Sequence, residues 1–117
     1  MVRRLTAAGW SIVGRNVRVG RAEIDILAVD PADGGALVAV EVRLRSRRDF
    51  GLAEETVDWR KRRRLWGAVA ALAEAGVLPD GRRLPRLPVR LDVVAVEPDP
   101  RAADGLRVRH HRALGLD

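Results

Sequence analysis

The sequence predicts an α/β fold in which a central mixed β-sheet contains a β-hairpin and is flanked by helices. Two apolar segments surround a short polar turn, a helical segment follows, and two more extended segments come after it. This order favours one sheet with helical cover. A chain of 117 residues with 47% hydrophobic and 32% charged residues has the size and composition of a globular domain. We therefore expect residues 1–117 to form a single domain.

The first elements of the chain are short. Residues 3–8 are expected to form a small helix that ends at Gly9, because glycine is common just past a helix C-terminus. Residues 10–13 and 16–19 then have the composition of two short extended pieces. These segments would lie ahead of the main hairpin.

The main strands are predicted by their content of Val, Ile and Leu. Residues 22–29 and 36–44 are apolar and flank a turn segment at 30–35, the pattern of an antiparallel hairpin. Residues 89–97 form a third strong strand candidate, expected to return beside the hairpin. Residues 106–112 are expected to add an edge strand.

One main helix is expected over about residues 56–75, which Gly76 ends. Apolar residues recur within it at helical spacing: Leu65, Val69 and Leu72. Trp59 and Trp66 lie about two turns apart on this helix. We expect both rings to pack into the core rather than to stack on nucleic-acid bases.

Charge and composition narrow the classes of function. The chain has 22 Lys and Arg residues against 16 Asp and Glu, a net charge of +6, which points to an anionic partner such as nucleic acid. The absence of cysteine excludes thiolate zinc sites, disulfides and a cysteine nucleophile. The longest uncharged apolar run, residues 65–73, is too short to span a membrane, and no signal peptide is recognisable. We expect a cytoplasmic protein with no membrane partner.

Charged residues stand on the hairpin where apolar residues would be expected. Glu23 and Asp25 are two positions apart on the first strand, so strand alternation gives them one face. Glu41 and Arg43 have the same spacing on the second strand. If the turn is centred on Asp33, Asp25 lies opposite Glu41. The same register puts Glu23 opposite Arg43.

Two interpretations of these charges remain open from spacing alone. Carboxylates that face each other repel, and a divalent cation such as Mg²⁺, held by Asp25 and Glu41, would offset the repulsion. Such a cation can activate a water and hold a phosphodiester for displacement. Alternatively, the charges are solvated or paired, with Glu23 and Arg43 forming an ordinary cross-strand ion pair.

A strongly basic segment begins beside these acids. Residues 43–64 contain nine positive and four negative residues. A phosphate backbone passing the hairpin would meet this segment, and its cations would supply affinity without sequence preference. The alternative is a solvated helix face. The candidate nucleic-acid contacts are Arg45, Arg47, Arg48, Arg60, Lys61 and Arg64.

Several blocks of the sequence resemble the YraN-like family of small bacterial proteins. They occur in order over residues 9–96, with a Glu-Ile-Asp block at 23–25 and a Val-Glu-Val-Arg block at 40–43. The other matching blocks are at 9–16, 20–28, 50–51, 57–65 and 91–96. The resemblance implies a restriction-endonuclease-like fold of the PD-(D/E)xK superfamily, distantly similar to archaeal Holliday-junction resolvases.

The resemblance also implies roles for the hairpin charges. Asp25 matches the first metal-binding aspartate, Glu41 matches the second acidic ligand, and Arg43 stands where the superfamily has lysine. Glu23 would be an accessory acid. The implied activity is Mg²⁺- or Mn²⁺-dependent hydrolysis of phosphodiesters in structured or branched DNA, and a homodimer is possible.

Two departures from the family pattern keep other functions open. Arginine stays protonated, so Arg43 can hold a phosphate but cannot act as a base; Lys61 is a less favoured substitute for the missing lysine. Only eight residues precede Gly9, where relatives carry a longer helix with a glutamate. The alternatives are a non-catalytic nucleic-acid-binding module that keeps the fold, and an interaction protein whose acidic hairpin docks a basic partner.

Overall fold

The computed structural model describes residues 1–44 and 59–113. The described elements are α1 (Val2–Ala7), β1 (Ser11–Val19), β2 (Ala22–Asp30), β3 (Ala36–Leu44), α2 (Trp59–Ala75), β4 (Val89–Pro98) and β5 (Leu106–His111), with one turn of 3₁₀ helix at Ala32–Gly34. The predicted small helix, the strands and the main helix are all present. The expected first residues of the main helix, 56–58, lie outside the described residues.

The five strands form one mixed sheet in the order β1-β2-β3-β4-β5. Neighbours are antiparallel except β3 and β4, which are parallel. Parallel neighbours require a crossover connection, and α2 lies on that connection. The expected hairpin is β2–β3, β4 returns beside it, and β5 adds the outer strand. The structure thus confirms the α/β class with a mixed sheet flanked by helices.

Strand β1 differs from the expectation of two separate extended pieces. It runs without a break from Ser11 to Val19. The polar and glycine residues that suggested an interruption lie in two irregularities within the strand: a register shift between Ile12 and Gly14, and a positive φ of 50° at Asn16. Asparagine tolerates this left-handed conformation better than most residues, so the strand bends rather than ends.

Both faces of the sheet are covered. The cluster on the α2 face includes Ile24, Leu27 and Leu37 from the sheet and Leu65, Val69 and Leu72 from the helix. The cluster on the α1 face includes Ile26, Val38 and Val94 from the sheet and Leu5 and Trp10 from the N-terminal segment. Strands buried on both faces have nearly continuous apolar sequences, as the predicted strands did.

The two tryptophans of α2 differ. Trp66 packs, half-buried, against the α2-face cluster, as expected. Trp59 is 54% exposed, so the expectation that it packs into the core is wrong. The buried residues of α2 begin only at Leu65, more than a helical turn after Trp59. Across the described ranges, neither helix combines the length and hydrophobicity that crossing a bilayer requires.

Candidate acidic site

The site begins where strands β2 and β3 stop pairing regularly. Their ladder runs from Asp30 opposite Ala36 to Ile26 opposite Val40. Just beyond it, the Val42 N–H donates a 2.9 Å hydrogen bond to Oδ2 of Asp25. In a regular antiparallel ladder this N–H would bond to a backbone carbonyl. The Asp25 side chain therefore fills the gap between two diverging strands.

The alternation of side chains along β2 is interrupted at Asp25. Ile24 belongs to the α2-face cluster and Ile26 to the α1-face cluster, although residues two apart on a regular strand share a face. On β1, Asn16 with its positive φ lies between the partners of Ile24 and Ile26. The alternation therefore breaks between Ile24 and Ile26, and the shared face of Glu23 and Asp25 stays a prediction.

Glu41 is the buried acid of the site. It is 5% exposed, and its Oε1 accepts a 2.6 Å ion-pair contact from Nζ of Lys61 on α2. Nη1 of Arg43 lies 3.8 Å from the same oxygen, in keeping with the expected shared face of these two residues. Burial raises the pKa of Glu41; the Lys61 hydrogen bond opposes this rise, and the charge of Asp25 and a hydrogen bond with its side chain add to it.

The structure thus brings Asp25 and Glu41 together, as the assumed register requires. The charge of Asp25 disfavours ionisation of Glu41 and so contributes to its raised pKa. Asp25 also lines an open depression of about 540 Å³ whose other lining residues include Arg3, Arg15 and Asn16. The site is therefore open to solvent on the side of Asp25 and closed on the side of Glu41.

Glu23 stands apart from this pair. Its ion-pair partner is Arg18 of β1, at 3.5 Å, and both side chains are exposed. The expected position opposite Arg43 is wrong, because the β2–β3 ladder covers only Ile26 to Asp30 of β2 and does not reach back to Glu23. Glu23 instead lies opposite Arg18 in the β1–β2 ladder.

The candidate nucleic-acid contacts divide into two groups. Arg45, Arg47 and Arg48 lie outside the described residues. Arg60 and Arg64 are exposed on α2, as a phosphate-binding role requires. Lys61 is half-buried and contacts Glu41. The sequence signal for this contact was that Lys61 is the sole lysine in an arginine-rich chain.

The described residues contain no group of three or more His, Cys, Asp or Glu side chains placed to hold a metal ion. The candidate metal ligands are the carboxylates of Asp25 and Glu41. Mg²⁺ is commonly held by one or two carboxylates and keeps several waters. By that criterion the pair fits a magnesium ion.

A second group of buried charges lies on the α1 face. Asp92 is 0% exposed. It accepts hydrogen bonds from Nε and Nη2 of Arg90, each 2.9 Å, from Nε2 of His110 at 2.8 Å and from the Ala113 N–H at 2.9 Å. Nη2 of Arg90 also donates to Asp30 at 2.7 Å. This full set of donors gives Asp92 a structural role.

In this second group, hydrogen bonds lower the pKa values of the carboxylates by more than burial raises them. Burial alone would raise the pKa of Asp92, but the hydrogen bonds from His110, Arg90 and Ala113 bring it below its ordinary value. Burial likewise opposes ionisation of Asp30, and the Ala32 N–H with Arg90 still lowers its pKa. The pKa of Arg90 is raised by these two carboxylates despite burial. The buried charges of Asp92, Asp30 and Arg90 are therefore compensated by hydrogen bonds and ion pairs within this group.

The chain resembles many curated bacterial proteins. The model of the uncharacterised protein family UPF0102 matches residues 1–96. A UPF0102 protein of Symbiobacterium thermophilum is 46% identical over 96 residues, covering 82% of this chain and 74% of the relative. A UPF0102 protein of Kineococcus radiotolerans is also 46% identical, over 81% of this chain and 71% of the relative. A Dehalococcoides mccartyi relative is 37% identical over 83% of this chain and 75% of the relative. The chain therefore belongs to the UPF0102 family, the YraN-like family that its sequence blocks resemble.

Proposed function

We propose that this protein is a divalent-metal-dependent phosphodiesterase of the restriction-endonuclease-like superfamily that acts on structured or branched DNA. The observation that carries the proposal is the convergence of Asp25, Glu41 and Lys61 where β2 and β3 separate. The two acids could hold a cation, and the lysine and the other basic residues of α2 could contact the phosphodiester. Family membership alone assigns no activity.

Asp25 and Glu41 are the residues that would hold the metal. A buried carboxylate whose pKa is raised by burial and by a neighbouring acid is stabilised in its charged form by an added cation. When bound, Mg²⁺ or Mn²⁺ supplies polarisation of a phosphoryl oxygen and a more acidic water. The hydrogen bond from Val42 fixes one oxygen of Asp25 and so orients its carboxylate.

Lys61 and Arg43 have different chemical capacities at this site. Arg43 is always protonated and can hold a phosphate oxygen through its fork. Lys61 is a point charge within contact of Glu41, and it comes from helix α2 rather than from β3. We assign Lys61 the role of holding charge near the reacting phosphate.

A non-catalytic nucleic-acid-binding module is the second candidate. The observation that favours it is the Lys61 ammonium 2.6 Å from Glu41, which already neutralises one acid without a metal. In that case the basic residues bind phosphate, and the acidic pair serves only to position α2 against β3. DNA binding would then be insensitive to a chelator.

Cleavage assays separate the two candidates. Duplex, nicked, flapped and four-way DNA are incubated with Mg²⁺, Mn²⁺ or chelator, using wild type, Asp25→Asn and the control Asp33→Asn. Asparagine can still accept the Val42 hydrogen bond, and Asp33 is an exposed turn residue whose positive φ suits asparagine. We expect metal-dependent cleavage by wild type and the control and none by Asp25→Asn.

Metal binding is measured separately from cleavage. Mg²⁺ should raise the melting temperature of wild type and of the control Glu74→Gln, an exposed acid on α2, but not that of Glu41→Gln. Identical DNA digestion by wild type and Asp25→Asn would indicate a contaminating nuclease and overturn the catalytic proposal. Chelator-resistant DNA binding without cleavage would favour the second candidate.

A further inference from the structure

Trp59 is an exposed aromatic ring at the start of the described part of α2. It is 54% exposed, more than any other aromatic side chain among the described residues. A single exposed apolar residue is ordinary on a protein surface. Trp59, however, carries two guanidinium groups against its ring, those of Arg60 and Arg63, each 5.6 Å from the ring centroid. This combination needs an explanation that core packing does not supply.

The surroundings of Trp59 are strongly cationic. The five residues that follow it are Arg60, Lys61, Arg62, Arg63 and Arg64, and the first turn of the described part of α2, from Trp59 onward, contains no acid. A surface of this charge attracts a polyanion, and exposed rings among cations are the arrangement by which proteins hold single-stranded nucleic acid. Arginine planes also stack on bases, so Arg60 and Arg63 would add stacking surfaces.

Trp59 is also close to the acidic site along the helix. It precedes Lys61 by two residues, a rise of about 3 Å along the helix axis. Lys61 in turn contacts Glu41. Two residues also rotate by about 200° around the helix axis, so the exposed ring lies on a different side of α2 from the Lys61 side chain, and a bound strand would reach both only by passing around the helix.

We propose that Trp59 is a base-stacking subsite for an unpaired nucleobase, so that the ligand is a single-stranded segment or a branch point rather than continuous duplex. This inference rests on the proposed function and specifies the class of its substrate. Bases inside a duplex have both faces covered by their neighbours, so a side chain can stack only on a base outside the helix. Arg60 and Arg63 lie against the ring and would add stacking surface beside it.

The test measures binding in chelator, so that cleavage plays no part. Fluorescence anisotropy follows a labelled single-stranded DNA oligonucleotide, and the same oligonucleotide with abasic sites supplies equal charge without bases. Relaxed closed-circular duplex is the competitor that lacks unpaired ends. The proteins are wild type, Trp59→Ala, Trp59→Phe and the control Val77→Ala, an apolar residue 40% exposed beyond the other end of α2.

The expected results follow from stacking. Trp59→Ala should weaken binding of the single strand by about 10-fold or more, Trp59→Phe by less, and Val77→Ala not at all. Binding of duplex and of abasic DNA should be the same in all four proteins. The dependence of affinity on salt should not change in Trp59→Ala, because no phosphate contact is lost. Trp59 emission should also be quenched by the single strand in wild type.

Other outcomes overturn the inference or the proposal beneath it. Unchanged single-strand binding by Trp59→Ala overturns the inference and would leave the ring as a contact for a protein partner. Equal loss of duplex and single-strand binding overturns it too, because the ring would then act through helix structure. Failure of wild type to bind any nucleic acid overturns the proposed function. A Trp59 effect on binding without any cleavage by wild type supports the inference and contradicts only catalysis.

Discussion

Two regions of this molecule bury carboxylates, one on each face of the sheet. The pKa values of these carboxylates shift in opposite directions in the two regions. On the α1 face, Asp92 and Asp30 have lowered pKa values because donors surround them. On the α2 face, burial and the neighbouring Asp25 raise the pKa of Glu41 despite its contact with Lys61. Hydrogen-bond donors compensate the carboxylates of the first region, and we propose that an additional cation would stabilise the second.

The number of donors explains the difference. Asp92 accepts four hydrogen bonds, from Arg90 twice, His110 and Ala113. Within residues 1–44 and 59–113, Glu41 contacts Lys61 closely, Arg43 lies 3.8 Å away, and the acid Asp25 is a neighbour. Buried charges with full hydrogen bonding are structural, whereas under-compensated ones in accessible positions are functional candidates. Substitutions in each of the two regions test this difference.

The largest effect is expected for Asp92→Asn. Removing this charge leaves the partly buried Arg90 without its main partner, and breaking such a pair costs about 3–5 kcal/mol of unfolding free energy. Urea denaturation at pH 7 measures it, with Asp33→Asn as a control expected to stay within about 0.5 kcal/mol. Because the pKa of Asp92 is lowered, its contribution is complete above about pH 3.9, the unfolded value, and is lost as pH falls through the folded pKa. The difference between variant and wild type should therefore shrink in acid.

A smaller loss is expected for Arg90→Lys. Lysine keeps the charge but has no fork, so it cannot bridge Asp92 and Asp30 as Arg90 does. We expect unfolding free energy to fall by about 1–3 kcal/mol. The matched control is Arg82→Lys, whose partner Asp80 is exposed. Equal stability of the two variants would contradict the view that the α1-face group is a structural network.

Glu41→Gln should change the free energy of unfolding only slightly. Unlike Asp92→Asn and Arg90→Lys, it should raise this free energy rather than lower it. Because the pKa of Glu41 is raised, the folded protein binds its proton more tightly, and wild type gains stability as pH falls through the raised pKa. At pH 7 the variant should match wild type or exceed it by about 1 kcal/mol, since Lys61 is 37% exposed and can be solvated. Its pH dependence should be flatter in the mildly acidic range. A loss of several kcal/mol on urea denaturation would place Glu41 in the same structural class as Asp92.

The smallest effect is expected for Glu23→Gln. Its ion pair with Arg18 is 3.5 Å long and exposed on both sides, and such pairs contribute about 0–1 kcal/mol. Thermal unfolding should therefore show almost no shift, and added salt should not change that result. A clear loss of stability would reveal a further partner for Glu23. Loss of cleavage without loss of stability would support its assignment as an accessory acid.

The sequence predicted the elements that local pattern encodes. Alternating and continuous apolar segments gave the hairpin and β4, helical spacing gave α2, and the turn at residues 30–35 gave a register that places Asp25 near Glu41. It did not predict the irregularity at Asp25, because ideal alternation carries no information on where a strand bends. The pairing of Glu23 with Arg43 failed for the same reason.

Chain patterns alone therefore determined which segments are strands and helices and which two strands carry the acids. Tertiary structure alone decided that Lys61 contacts Glu41, that His110 completes the bonding of Asp92, and that Trp59 is exposed. Periodicity depends on neighbours a few residues apart, which the sequence displays directly. The contacts of Lys61 and His110 and the exposure of Trp59 depend on how segments distant in the sequence pack against one another. Only the tertiary structure determines this packing.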